Sequence, residues 1–561
     1  MALPTLDDPF YYLVNFRTVL DWLSARYADL LSDDERDFIA RFEGLPQSSQ
    51  ALLVRMVMRK GVDFRASRLR YDEIGEPGDA VGPLIDAGWV EEGSALALEA
   101  LFALTTKAEL AAGLADRLAE SGVPRAAGKG VWLEALGACS PAPRPLSDWL
   151  PELEDRHFRL AVDAMCERFR LMFFGNLRQQ WSEFVLAELG VFRFETVVLD
   201  QRSRAFSRRD ELEAYHRLHK LRERFEADEP LAVILAELPE SAFDNDWLER
   251  RRARLIYRVA YRLERLGELL HALALYERCT APDARLRRIR VLESLERYAA
   301  AQALAEAATR APASAAEAQA VARILPRLRR KQGGAAIARR PGNGPARLDL
   351  ELPRASSVER AVAQHLSRDD APVCYVENVL VNGLFGLLCW EAIFAPLPGA
   401  FFHPFHVGPV DLHEPDFRSR RCSHFDACLA ALERGDHAEV IRRRYREKHG
   451  IQSPFVFWEG LDESLLELAL ACIPARHLRL WFERLLTDIR ANRAGMPDLI
   501  QFRPGADEAE HAYHMIEVKG PGDRLQDNQK RWLEFCAEHD MPISVCYVVW
   551  QAEEAAGGGA E

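Results

Sequence analysis

The stretch from 495 to 550 constrains the fold of this chain more than any other. DLIQF (498–502) and YHMIEVKG (513–520) carry the residue types and period of strands. A GPGD turn follows, then a helical apolar stripe over Leu525–His539. ISVCYVVW (543–550) closes the stretch as a nearly continuous apolar run, the signature of a strand buried on both faces. Strand, strand, helix, strand predicts an α/β sheet. Strand period two puts Glu517 and Lys519 on one face and turns Ile516 and Val518 the other way, into a core. Asp498 opens the preceding strand just after Gly495 and Pro497, and a hairpin brings it beside Glu517.

That juxtaposition has chemical consequences. Two neighbouring carboxylates repel, and one takes up a proton unless a cation sits between them. An all-oxygen site of this kind suits Mg²⁺ or Mn²⁺, one ion or two, and such a site also holds a substrate phosphate. Lys519 adds a positive charge able to orient an attacking water or stabilise a pentavalent phosphorus. The order PD…ExK thus points to a metal-dependent phosphodiester hydrolase. Gln529 sits on the apolar stripe of the following helix. Turned inward, it needs a partner, which the carboxylates or their water would supply; at the stripe's edge it would bond backbone instead.

The rest of the 561-residue chain is too long for one core, and three or four domains are expected. Residues 1–95 read as short helices ending in LIDAGWVEEGS, which resembles the helix-plus-wing of a winged-helix module. Residues 96–150 hold two helices around a Gly-containing basic loop, with Thr105 or Thr106 as a cap. This segment resembles a SAP-type DNA-binding motif, with Arg125 and Lys129 as phosphate contacts, and ends in a Pro-rich linker over 139–150. Residues 151–335 are almost entirely helical, with Leu255–Leu275 and Ala299–Ala308 as antiparallel pairs of a tetratricopeptide-like array. RKQGGAAIARRPGNGPARL (330–348) marks the main boundary, and an α/β domain occupies 355–552. The tail EEAAGGGAE reads as disordered.

Net charge is −13, which argues against a general nucleic-acid coat, yet basic runs such as Arg250–Arg265, Arg285–Arg290 and Arg418–Arg421 leave local phosphate binding open. Each such run is alternatively a solvated helix face with acidic partners. The ten cysteines include no CxxC pair, and Cys422, His424 and Cys428 do not have a zinc spacing. His403, His406 and His413 are read as hydrogen-bonding loop residues rather than metal ligands. The N-terminus lacks the basic and apolar regions of a signal peptide, and the apolar run Gly383–Trp390 is too short to span a bilayer. The expected location is cytoplasmic, with no membrane partner.

The extended motif GMPDLI…EVKGPGDRLQ, continuing to Trp532 and Leu533, resembles the virus-type replication–repair nuclease module (VRR-NUC) of the PD-(D/E)xK superfamily. YVENVLVNGLFGLLCWEAIF (375–394) and HVGPVDLHEPDFRSRR (406–421) look like the corresponding blocks of the Fanconi-associated nucleases. The order of SAP-like segment, helical repeats and C-terminal nuclease is also similar. The ubiquitin-binding zinc finger of animal members is missing, which suggests a bacterial-type, nucleoid-associated member.

The resemblance implies a catalytic core of Asp498, Glu517 and Lys519, with the Val518 carbonyl as a further metal ligand. It implies an additional upstream acid, matched best by Glu377, with Glu391 competing. It implies cleavage of branched DNA near a 5′ flap, 5′-to-3′ exonuclease directionality, 5′-phosphate products and a place in interstrand-crosslink repair, alongside repair proteins. Arg285, Arg287 and Arg288 are candidates for a 5′-phosphate pocket, although they are equally able to pair with Glu293. A monomer is favoured. The rival readings are a restriction-type or Holliday-junction nuclease and a non-catalytic helical repair scaffold.

Overall fold

The structure, a computed structural model, describes residues 8–138, 142–181, 192–334, 344–506 and 511–551. The C-terminal tail read as disordered, residues 335–343 of the expected boundary and residues 139–141 of the expected linker lie outside the described residues. The chain forms two compact units, one of residues 1–192 with 200–213, the other of 193–199 with 214–561.

The first unit begins with helices Tyr11–Arg26, Asp33–Glu43 and Gln47–Val57, the second opened by a Ser32–Glu35 capping box. The wing is a three-stranded antiparallel sheet. β1 (Asp63–Arg65) and β2 (Val90–Glu92) flank β3 (His157–Leu160), the central strand. β3 lies in a region read as helical. Four residues are too few to show a period, and its pairing partners, Asp63–Arg65 and Val90–Glu92, lie far upstream, where no local signal reaches.

The SAP-like segment is not two helices but four short ones, Leu98–Leu104, Lys107–Gly113, Ala115–Glu120 and Lys129–Gly137. Thr106 caps the second of them in a box with Glu109, while Thr105 turns its hydroxyl back to the Leu101 carbonyl. The Pro-rich stretch is not a free linker. Leu146, Trp149 and Leu150 are buried among Leu101, Leu118 and Trp132, and the Trp149 indole donates to the Leu96 carbonyl at 2.9 Å. Three large apolar side chains outweigh the turn-forming prolines around them.

In the second unit, helices Asp246–Arg265, Leu269–Glu277, Ala284–Ser294, Tyr298–Arg310 and Ala315–Lys331 pack on one another in chain order, the helical array expected. Their shared core contains Ile256, Leu273, Ile289, Ala305 and Ile324. The α/β part is a five-stranded mixed sheet of β4 (Ala346–Leu352), β5 (Val373–Tyr375), β6 (Leu499–Phe502), β7 (Tyr513–Lys519) and β8 (Ile543–Trp550). The strand order is β4-β8-β7-β6-β5, with β8 parallel to both its neighbours and the remaining pairs antiparallel. β4 begins inside the stretch read as a boundary. As an edge strand (ARLDLEL) with mostly exposed polar positions, it has no continuous apolar run to mark it.

The sheet separates two cores. Tyr513, Met515, Ile500 and Phe502 face the larger one, built on helices Leu380–Leu388, Cys422–Arg434, Ala475–Thr487 and Asp527–Glu538. Leu499, Ile516 and Val518 face the smaller one, under helix Val358–Leu366. Arg323 holds Asp527 at 2.6 Å, and Gln319 accepts from Arg531, so the last helix of the array is tied to the helix after the GPGD turn.

Candidate active site

The antiparallel register of β6 and β7 pairs Leu499 with Ile516. One step further along both strands stand Asp498 and Glu517. Both share the parity of Ile500 and Met515, so both rise on the same face of the sheet, as does Lys519. The turn that delivers Asp498 depends on Gly495. Its φ is +91°, and a Cβ there would lie 2.8 Å from Asn528, so neither the backbone nor the space admits a side chain. The Asp498 carbonyl accepts from Val376 N–H at 2.8 Å, which extends the β5–β6 pairing to the chain just before Glu377.

The cluster is buried. Asp498 is 7% exposed, Glu517 0% and Lys519 7%. The Asp498 Oδ2 accepts from Val518 N–H at 2.8 Å. The Lys519 ammonium lies 2.7 Å from Glu517 Oε1, and otherwise neither Glu517 oxygen has a hydrogen-bond donor. Burial is the main force on both acids. It pushes Asp498 up to about 6, against the Val518 N–H and Lys519, with Glu377 and Glu359 adding repulsion. It pushes Glu517 up to about 7, helped by Asp498 and opposed by Lys519. One ammonium does not neutralise this group of acids.

Among the described residues no group of three or more His, Cys, Asp or Glu side chains is placed to hold a metal ion by itself. The donors present are oxygens, and on the buried Glu517 carboxylate only the Lys519 ammonium, at Oε1, faces them. That suits a hard divalent cation that keeps part of its water shell.

The other residues singled out in the sequence fall as follows. Glu377 is half-buried next to β5 and acts electrostatically on both Asp498 and Glu517. Its Oε2 accepts from the Tyr375 hydroxyl at 2.6 Å and its Oε1 from Asn378 Nδ2 at 3.2 Å. Glu391 stands on the exposed side of its helix, paired with Arg444. Gln529 does not face the carboxylates. Its Oε1 accepts from Gln526 N–H at 2.8 Å and caps its own helix. An exposed Gln526 at the N-cap offered the nearer partner, and the helix starts at Asp527 rather than Leu525.

Arg285, Arg287 and Arg288 lie on one helix of the array, each committed to a carboxylate: Glu317, Glu264 and Glu277. Glu293 pairs instead with Arg327. Arg125 and Lys129 donate to the backbone carbonyls of Ala111 and Thr105 within the SAP-like segment. His403 and His406 are stacked with centroids 3.8 Å apart, and burial drives His406 down to about 3.

One acid at the site escaped the sequence reading. Glu359, in the first turn of helix Val358–Leu366, adds a minor repulsion to Asp498, which burial raises, and to the Tyr375 hydroxyl, which its bond to Glu377 raises. Its only sequence signal was a Ser357 cap opening a helix shortly before β5.

Comparison with known proteins fits this geometry. Residues 432–550 match the VRR-NUC domain, residues 10–91 the "FAN1, HTH domain", and residues 95–149 the "Fanconi anemia-associated nuclease SAP domain". A Fanconi-associated nuclease 1 homolog of Pseudomonas aeruginosa is 52% identical over 554 residues, covering 98% of each chain. The chain belongs to the Fanconi-associated nuclease 1 family. An Arabidopsis thaliana homolog is 24% identical, over 96% of this chain and 67% of its own length. The crystal structure of paFAN1 bound to 2nt 5′ flap DNA with a gap superposes with a TM-score of 0.92 at 52% identity, covering 98% of this chain and all of that one. A second paFAN1 structure, with 1nt 5′ flap DNA, gives 0.90.

As a member of the Fanconi-associated nuclease 1 family the protein is a nuclease, a DNA-binding hydrolase of phosphodiester bonds. Its VRR-NUC match contains Asp498, Glu517 and Lys519 and begins downstream of Glu359 and Glu377. No helix among the described residues is long and apolar enough to cross a membrane.

Proposed function

We propose that the protein is a divalent-cation-dependent, structure-specific nuclease that incises DNA near a 5′ flap and degrades it 5′ to 3′, leaving 5′-phosphates, in interstrand-crosslink repair. The observation that carries this reading is the buried Asp498–Glu517 pair, two repelling acids beside one ammonium. The 5′-flap DNA held by paFAN1 supports the substrate class.

Asp498 and Glu517 are the principal ligands for Mg²⁺ or Mn²⁺, joined by the Val518 carbonyl, with Glu377 and Glu359 as the further acids beside them. The cation supplies Lewis acidity toward the phosphate and a water acidic enough to attack it. Val518 N–H fixes one oxygen of Asp498 and so leaves the other free to ligate. Lys519, anchored on Glu517, orients the attacking water and opposes charge developing on the phosphoryl oxygens. Arg125 and Lys129 contact phosphates through the donors their carbonyl bonds leave over.

End-labelled 5′-flap DNA and the matching plain duplex, incubated with Mn²⁺, Mg²⁺ or EDTA, test the proposal. Cutting near the flap junction is expected with either cation and not with EDTA. Asp498→Ala should lower the rate by roughly a hundredfold or more. Equal cutting of flap and duplex would defeat the substrate claim, and a fully active Asp498→Ala would defeat the site.

A further inference from the structure

Between Glu377 and the turn before Asp498 stands one side chain that touches both. Asn378 has φ +53°, a left-handed conformation that asparagine tolerates and most residues avoid. Its Oδ1 accepts from Gly495 N–H at 3.0 Å and from Met496 N–H at 3.3 Å, across more than a hundred residues of chain. Its Nδ2 donates to Glu377 Oε1 at 3.2 Å. The amide orientation is dictated by its partners, since a flip would set NH₂ against two N–H donors and C=O against a carboxylate. The Asn378 carbonyl is held in turn by Asn382 Nδ2 at 2.7 Å, and the same amide reaches the Arg493 carbonyl at 2.8 Å. Asn382 is 4% exposed, so the bracket is anchored in the core.

We infer that Asn378 is a positioning residue for the nuclease reaction. Its side chain locks the Glu377 turn to the Gly495–Met496 turn, and so sets Glu377 and Asp498 at one spacing for a shared divalent cation. The inference rests on the cation site proposed above. A left-handed residue costs backbone energy, and at Asn378 the side-chain bonds to Gly495, Met496 and Glu377 offset it. Glycine keeps the backbone and loses all three bonds. Aspartate keeps both acceptor contacts and loses only the donor to Glu377.

The test compares wild type, Asn378→Gly, Asn378→Asp and Asp498→Ala in 5′-flap cleavage against Mn²⁺ concentration, with thermal unfolding alongside. Ligand-supporting residues commonly govern metal affinity by about 10–100-fold, so Asn378→Gly should need at least ~10-fold more Mn²⁺ for half-maximal cutting. Its unfolding midpoint should stay close to wild type, a pattern that a merely structural residue would not give. Asn378→Asp should fall between wild type and Asn378→Gly. Wild-type Mn²⁺ dependence in Asn378→Gly, with Asp498→Ala inactive, would overturn this inference and leave the proposed site standing. An active Asp498→Ala would overturn the site itself. Should Asn378→Gly not fold, amide exchange in the wild-type protein decides. Slow exchange at Gly495 and Met496 is expected, and exchange at open-loop rates would overturn the bracket.

Discussion

At the scale of residues, the site is defined by the cost of burying acids. Asp498 and Glu517 are held up at about 6 and about 7 chiefly by burial. A cation binds their charged forms, so Mn²⁺ affinity should rise as pH goes from 5 to 8 and level off above the higher value. The half-activating Mn²⁺ concentration in flap cleavage, measured across that range, checks this, and a flat profile would contradict it. The cation-free fold should respond the other way. Between the ordinary carboxylate range near 4 and about 7, the native state binds more protons than the unfolded chain. These two acids therefore make the apo-protein less stable as pH rises. Denaturant unfolding in EDTA at pH 5 and pH 7.5 reads the sign. Asp498, Glu517 and Lys519 were legible in the sequence because a strand's period and a Gly-Pro turn fix where their side chains go. Glu359 was not, because its place depends on how a distant helix lies on the sheet. Gln529 reads either as a site partner or as a backbone bond, and the helix-capping N–H three residues away takes it.

At the scale of elements, long-range partners decide what local pattern leaves open. The basic run Arg418–Arg421 shows this. Arg421 is fully buried and grips fully buried Asp411 with both terminal nitrogens at 2.9 Å, and Arg420 joins the same carboxylate. These two arginines tie the loop around Asp411 to helix Cys422–Arg434 and are spent on folding rather than on phosphate. Asp411→Ala leaves Arg421 charged and unpaired in the core and should cost about 3–5 kcal/mol in urea unfolding. A loss below about 1 kcal/mol would contradict the buried pair. The strands with apolar runs, β6, β7 and β8, were evident from the sequence. β4 and β3 were not, because an exposed edge strand and a four-residue strand gain their identity only from the neighbours they pair with.

At the scale of the whole molecule, a net charge of −13 and a DNA-cutting site coexist because cations and acids are sorted locally. The arginines of the helical array are consumed largely within it, as with Arg285, Arg287 and Arg288. The array meets the nuclease domain at its surface, where Arg323 pairs with Asp527 at the start of the helix that follows the GPGD turn. The order of helical modules followed by an α/β nuclease was readable from composition and period, whereas the packing of Leu146, Trp149 and Leu150 into a core was not. All of this serves the carboxylate pair at the sheet end. The most direct test is anomalous diffraction from crystals of the protein soaked in Mn²⁺. A manganese peak between Asp498 and Glu517, lost in Asp498→Ala, is the predicted result. Manganese bound elsewhere, or a peak that survives the substitution, would contradict the assignment of this pair as the cation site of the nuclease.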